Sequence, residues 1–575
     1  MTEFELINLD EASIGFAAVL SDFSAVYLFF DNSNLFRGII AKNSYQDKLL
    51  HHKCVAVNQL YKVVAFGCKN GLAVAYDLPD DYTTLRLTHF YKPASKDYEN
   101  ANVVHLKWSP DYRCLCVLYD KGHFSIYSVF GSLLYDSKDL LYFNCSNQNY
   151  NIVKTLEFGI DGYSLWIYLQ NAEIGSIGDI VKLKILKSSL INNSSMSNIE
   201  HISLNGEKEV YVCLNLTKTD SFYNYKTIYE NKKNSSKKLP PKYQYPSQKL
   251  GGNSIWQILN LPSTYISSNY PIKMSSIDSE GKYLAVAGQR GFTHFSFINQ
   301  KWKIFGNADQ EKDIRITGGL LWWKEFICMS CFNYIDQRDE IRFYSRNSNL
   351  DNSYSKISKV NSTILQMNIF KNLLVTFSID CVIQVVGLEG GKDSTSKIIL
   401  NKLIEIPIHN YIINNPYLVT FISLCPLFVG HFDEQLKKNV ESVNSSMKSI
   451  LVNVGGNLLM FQPDLDSLTS IPEDLKKTKP YSSLPPIIIS SSVENYWVVC
   501  NQNNNVRLLN IYLNYSLWLN CGCSGIKVWL PLSGDEDKVQ QANRIILTFP
   551  LKFYPLGLLA NQSLLIGANS AFGLV

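Results

Sequence analysis

Short apolar runs separated by polar turns recur along this chain. VVAFGCKNGLAVAY (63–76), LCVLYDKGHFSIY (115–127) and LAVAGQRGFTHFSF (284–297) each hold two strand-length runs around a short polar turn. LLVTFSIDCVIQVV (373–386), ILVNVGGNLLMF (450–461) and WVVCNQNNNVRLL (497–509) repeat it more loosely. Gly71, Gly122 and Gly291 stand where a tight hairpin asks for positive φ. A further strand and turn precede the hairpin in VVHLKWSPDYRCLCVLY (103–119), IVKTLEFGIDGYSLWIYL (152–169) and IKMSSIDSEGKYLAVAG (272–288). In these turns Pro110 presets φ, Asp111 and Asp278 can bond their own backbone, and Gly281 permits the left-handed region. The phrase is strand, turn, strand, turn, strand, with an outer strand beyond and no helix between copies. It predicts an all-β fold of WD40-like β-propeller blades, each about 40–45 residues long.

Polar stretches interrupt the repeat. Residues 187–201 and 217–253 are rich in Ser, Asn and Lys, and read as inserts too polar to order alone. Further polar inserts are expected at 431–449 and 462–492, the first holding the only hint of helical periodicity. A boundary is expected near 346–362. The chain thus divides into a first propeller over 1–350, with room for about seven blades at that repeat length, and a second over 355–575. The second has room for only five or six, so it is expected to be an incomplete ring, with no C-terminal helical region in this chain.

Composition agrees with this reading and removes some alternatives. Of the 575 residues 46% are hydrophobic, and 34 Tyr with 29 Phe suit pleated, half-buried surfaces. The 54 basic and 50 acidic residues balance too closely to advertise a nucleic-acid partner. The acidic start MTEFELINLD lacks the basic region of a secretory signal, and Ser21, Asp22 and Ser24 break the apolar stretch 14–30 into two strands. Among 13 cysteines the single CxxC is Cys328–Cys331, inside an apolar strand where sulfurs three residues apart diverge. Buried free thiols in a reducing compartment are expected, not zinc. The nine histidines are scattered, and neither GxxxxGK[ST] nor GxGxxG occurs, so no covalent chemistry, metal or cofactor is expected and an ATPase is disfavoured.

Three blocks depart from a generic blade: RITGGLLWWKEFICMSCFNYIDQRDEIRFYSRNSNLDN (315–352), GIKVWLPL (525–532) and RIILTFPLKFYPLGLL (544–559). In this order they resemble the ribosome control protein one family, the first block most specifically. The resemblance spans essentially the whole chain. It implies the large subunit of a two-subunit guanine-nucleotide exchange factor for a Rab-six-type GTPase, acting in retrograde endosome-to-Golgi transport. It also implies an arrestin-fold partner subunit and a cytoplasmic location peripheral to Golgi membranes. Family members continue into a long α-helical region that this sequence does not include. The residues themselves imply only propellers, which host many functions. A scaffold of a membrane coat or tethering complex and a ribosome-production factor stay open as alternatives.

Candidate contact residues follow. Trp322 and Trp323, adjacent on a strand, face opposite ways; the outward one is either an interface anchor or packed against the next blade. Asp336-Gln337-Arg338-Asp339-Glu340 is either a rim loop meeting the GTPase or a solvated hairpin turn. Lys232, Lys233, Lys237, Lys238, Lys242 and Lys249 form a basic insert that could touch anionic membrane or simply be a soluble loop.

Overall fold

The computed structural model describes residues 6–12, 15–30, 36–41, 44–45, 48–78, 84–93, 101–137, 152–170, 178–214, 256–390, 397–412, 415–425, 449–462, 485–498, 516–529, 545–559, 564–569 and 573–574. Within them the strands form eleven meandering antiparallel sheets and a two-stranded ribbon at 44–49. The sheets are numbered here in chain order: 1 (6–40), 2 (52–91), 3 (103–136), 4 (152–184), 5 (187–260), 6 (274–303), 7 (314–359), 8 (364–407), 9 (419–490), 10 (495–549) and 11 (554–574). Nine have four strands; sheets 4 and 11 have three among the described residues. Almost every strand pairs with its neighbour in sequence, which is the expected all-β blade pattern. No helix among the described residues is long and apolar enough to cross a membrane.

Successive sheets stack face to face, so their middle strands are buried on both sides. In Phe326–Asn333, Ile327, Met329 and Cys331 pack towards sheet 6 while Phe326 and Cys328 pack towards sheet 8. The two sulfurs of the CxxC diverge as strand alternation requires, and the eleven described cysteines are free. Five hairpins read from the pattern are present, with Gly71, Gly122 and Gly291 at φ of 67°, 78° and 55°. The blade-opening turns share a left-handed residue, Tyr112, Gly162 or Gly281. In the last, Asp278 Oδ1 accepts from the backbone N of Lys282 and Tyr283, both at 2.7 Å. The sixth hairpin is different: Asn495–Val498 pairs with Leu517–Asn520, and the expected partner at 506–509 lies outside the described residues.

The division of the chain also differs from the expected one. Strand Lys356–Lys359 is the fourth strand of sheet 7, pairing Lys359 opposite Glu340, so a break between 350 and 355 would cut a single sheet. The stacking instead groups sheets 5–11, and sheets 3 and 4 touch that group through Leu134, which packs beside sheets 5 and 11, and through Tyr163, which lies in the core shared with sheets 5, 6, 9 and 10. Apolar clusters join sheets 6 to 7, 7 to 8 and 8 to 9, and one larger cluster holds sheets 5, 6, 9 and 10. Sheet 11 packs Tyr554 and Leu556 onto Ile202 and Leu204 of sheet 5, while Asn495 of sheet 10 donates to Tyr554. Among the described residues seven sheets, 5–11, thus close a ring that begins at 187, well before the expected boundary, and the span 355–575, expected to hold five or six blades, contributes four of them, sheets 8–11. Sheets 1–4 make an arc with apolar interfaces between 1 and 2, 2 and 3, and 3 and 4.

The segment 187–201, expected to be a disordered insert, is the hub of that ring. Lys187–Ser188 opens sheet 5, Ser189–Asn192 makes one helical turn and Ser194–Asn198 a 3₁₀ turn. Leu190 and Met196 join the apolar core, and the polar side chains bond the innermost strands instead of water. Asn193 Nδ2 donates to the carbonyls of Ser275 (3.1 Å, sheet 6) and Leu320 (2.6 Å, sheet 7). Ser194 Oγ donates to Met367 O at 3.1 Å in sheet 8, and Ser195 Oγ to Leu320 O at 2.9 Å. Asn368 returns the contact, its Nδ2 donating to Ser194 O at 2.8 Å and Ile422 O at 2.9 Å. The segment is ordered because sheets 5, 6, 7 and 8 offer it carbonyls that would otherwise be buried without donors.

Candidate partner-binding surface

The 315–352 block forms sheet 7, and its unusual residues are explained first by packing. Strand Ile314–Trp323 carries a bulge between Ile316 and Gly319, where Gly318 N donates to Ser330 Oγ at 2.8 Å. A Cβ on Gly318 would collide with the Ile364 carbonyl, and one on Gly319 would lie 2.8 Å from Met367 Cβ. The TGG run thus lets sheets 7 and 8 approach closely beside the hub.

Trp322 and Trp323 face opposite ways as expected, but neither is an outward anchor. Trp322 Nε1 donates to Ser276 O at 3.0 Å and its ring meets Tyr283 and His294 of sheet 6. Trp323 is buried towards sheet 8, with Nε1 donating to Asn372 Oδ1 at 3.1 Å. Both indoles are spent on blade packing.

The charged DQRDE stretch is only in part a turn. The loop is Tyr334–Gln337, with Gln337 at φ 50°, while Arg338, Asp339 and Glu340 already belong to strand Arg338–Ser345. Residues two apart share a face, so Asp336, Arg338, Glu340, Arg342 and Tyr344 form one ladder. Arg338 bridges Asp336 Oδ2 at 2.7 Å and Glu340 Oε1 at 2.6 Å, and Arg342 Nε donates to Glu340 Oε2 at 2.8 Å. Tyr344 then donates to Asn352 Oδ1 at 2.8 Å. The Glu340 side chain is 0% exposed, so its assignment as a contact residue is corrected. Burial alone would raise its carboxyl pKa, but the hydrogen bonds from Arg338 and Arg342 outweigh this and hold it below its ordinary value. Asp339 accepts from Thr363 Oγ1 at 2.7 Å, tying sheet 7 to the start of sheet 8. What the hairpin tip presents to a partner is Asp336 (42% exposed), Arg338 (36%) and Ile335. The lysine insert, with Lys232, Lys233, Lys237 and Lys238, lies outside the described residues.

Sequence reasoning missed the joint between arc and ring. Phe130, in the turn before the last strand of sheet 3, sits between Gly456 and Gly522, where a Cβ on either glycine would meet it. Phe130 N donates to Glu494 Oε1 and Cys523 N donates to Phe130 O, both at 2.9 Å. Tyr61 packs edge-on against the ring at 5.5 Å and is itself bonded by Arg113. Burial pushes the Glu494 carboxyl pKa up, against its hydrogen bonds from Ser128, Phe130 N and Tyr554. The run SVFG (128–131) gives no distinctive signal, and the partners lie over 300 residues away in sequence. Among the described residues no group of His, Cys, Asp and Glu is arranged to hold a metal ion.

The chain is 31% identical over 586 residues to the human protein named guanine nucleotide exchange factor subunit RIC1, covering 96% of this chain and 40% of the relative. The mouse protein of the same name is 30% identical over 592 residues with the same coverage. A Caenorhabditis elegans protein, guanine nucleotide exchange factor subunit R06F6.8, is 23% identical over 621 residues, covering 97% of this chain and 38% of its own length. The chain thus spans about two fifths of the length of these relatives. Residues 225–574, which hold most of the seven-sheet ring, match the model of the RIC1 second beta propeller domain, and the chain belongs to the RIC1 family.

Proposed function

We propose that this chain is the propeller platform of a two-subunit guanine-nucleotide exchange factor. The target is a Golgi Rab GTPase of retrograde transport, and the second subunit has an arrestin fold. The observation that carries this reading is similarity over 96% of the chain to proteins named as exchange-factor subunits. An exchange factor needs no nucleotide pocket of its own. It binds the GTPase, displaces the segments that hold magnesium and phosphate, and so favours release of GDP. A ring tied at its centre by a hydrogen-bonded hub suits that role, since a rigid surface loses little conformational freedom on binding. The exposed hairpin tip at Ile335, Asp336 and Arg338 is one contact for a polar protein surface, and the lysine insert offers anionic lipid about 1 kcal/mol per Lys near the membrane. The factor would then act from the cytoplasm, held peripherally on Golgi membrane.

The test is release of labelled GDP from the GTPase in the presence of this chain, a version extended to the length of its relatives, and the partner subunit. Acceleration by the extended pair supports the reading. Assembly of the three proteins without acceleration replaces it with a coat or tether scaffold.

A further inference from the structure

Sheet 4, like sheet 11, has three strands among the described residues, here Ile152–Phe158, Ser164–Gln170 and Asp179–Lys184. In sheet 3 the outer strand follows its neighbour after four residues, Phe124–Ser128 leading to Leu133–Asp136. Here Ile185 and Leu186 alone separate Lys184 from Lys187, which already pairs with Asn205 in sheet 5. The path of the chain therefore leaves no local residues for a fourth strand. Asp179–Lys184 pairs with 164–169 on one side, and its outward N–H and C=O groups meet no strand among the described residues.

The side chains beside that edge suit an added strand. Tyr168 stands opposite Ile180 and Trp166 opposite Lys182, giving one face of Trp166 (45% exposed), Tyr168 and Ile180 (70%). An exposed edge with an apolar face invites pairing, and lysines commonly guard against it. Here the guards are drawn aside. Lys182 Nζ lies 2.9 Å from both carboxylate oxygens of Glu207 and 5.5 Å from the Trp166 ring centre, and Lys184 Nζ lies 3.8 Å from Glu209.

We propose that Asp179–Lys184 accepts an extended antiparallel strand from the partner subunit, a conclusion that rests on the two-subunit reading above. Its chemistry follows from the edge. An antiparallel segment starts beside Lys184, whose side chain is 65% exposed, and finishes beside Asp179. It therefore carries acidic residues at its beginning, alternating apolar residues that extend the Tyr168–Ile180 row, and a basic residue at its end. Six residues suffice, a span of about 20 Å. Main-chain hydrogen bonds supply the affinity and the alternate side chains the selection.

Hydrogen exchange of 179–184 is measured in this chain alone and in complex with the partner subunit, and GDP release is followed separately. The expected result is fast exchange alone, slowed at least tenfold in the complex. Ile180→Asp and Ile180→Pro, at a position whose N–H faces outward because Ile185 N donates inward to Tyr163 O, then weaken association at least tenfold while leaving the unfolding transition unchanged; Lys208→Ala in the neighbouring turn has no effect. Synthetic peptides tiling the partner subunit locate the segment, and one with the acid–apolar–base pattern should reproduce the slowing. Slow exchange in the isolated chain overturns the inference, because the chain's own residues then fill the slot. Failure to associate overturns it too, as does association with 179–184 still exchanging fast. Accelerated GDP release with a fast-exchanging edge overturns this inference alone, whereas edge protection without acceleration overturns only the exchange reading.

Discussion

Asn368→Ala isolates what the hub contributes. Asn368 is fully buried on the innermost strand of sheet 8, and its Nδ2 donates to Ser194 O at 2.8 Å, Ile422 O at 2.9 Å and Ser197 Oγ at 3.0 Å. The amide has two hydrogens, so the two carbonyls are its main acceptors. Alanine removes both donors where no solvent path replaces them. A buried carbonyl left without a donor costs about 1–3 kcal/mol, and a small cavity adds to that. The expected loss is about 2–4 kcal/mol in urea unfolding followed by tryptophan fluorescence, with faster hydrogen exchange over 189–198. Asn368→Asp keeps the shape but turns an acceptor towards the same two carbonyls, so it should cost more at neutral pH and recover in part as the acid is protonated. Ser197→Ala removes only one weak acceptor and should stay within about 1 kcal/mol. A loss below about 0.5 kcal/mol for Asn368→Ala, with hub exchange unchanged, would refute the idea that polar bonding orders this segment.

Other outcomes follow from the same geometry. Glu340→Ala leaves the buried Arg342 guanidinium without its carboxylate and should destabilise by about 3–5 kcal/mol, whereas Asp336→Ala at the exposed tip should cost less than about 1 kcal/mol; equal losses in thermal unfolding would contradict the ladder. Phe130→Ala empties the slot between Gly456 and Gly522 and should cost about 3–5 kcal/mol, with limited proteolysis cutting between arc and ring before the ring itself unfolds. His294 is buried between Tyr283 and Trp322, and burial lowers its pKa to about 3 from an ordinary 6.5. The unfolded chain then takes up the proton first, so stability falls as pH drops below 6.5, by up to about 1.4 kcal/mol per pH unit from this group. His294→Phe should flatten that limb between pH 6.5 and 3; an unchanged acid slope would count against a neutral buried imidazole.

The blades were legible because their information is local. A hairpin such as 115–127 needs only alternation and a glycine at its turn, and both are visible in a dozen residues. The partition of the blades was not legible, because it depends on which faces meet. Nothing within 346–362 reveals that Lys356–Lys359 pairs back onto Arg338–Ser345, or that sheet 11 closes against sheet 5. The charged stretch was readable and was read at the wrong period. Asp336, Arg338, Glu340 and Arg342 alternate at two residues with opposite sign, which marks a strand face and not a loop. The hub exposes a deeper limit. Composition equates Ser and Asn with solvent, yet NSSMS (193–197) is buried because the blades around it turn their inner strands towards it. Carbonyls on those strands need donors, and short polar side chains are the smallest groups that supply them. The same reasoning separates two kinds of unusual residue in this chain. Those that satisfy a buried backbone, such as Asn193 and Asn368, hold the ring together, while the strand we propose for a partner, Asp179–Lys184, is one whose outer edge meets no strand among the described residues.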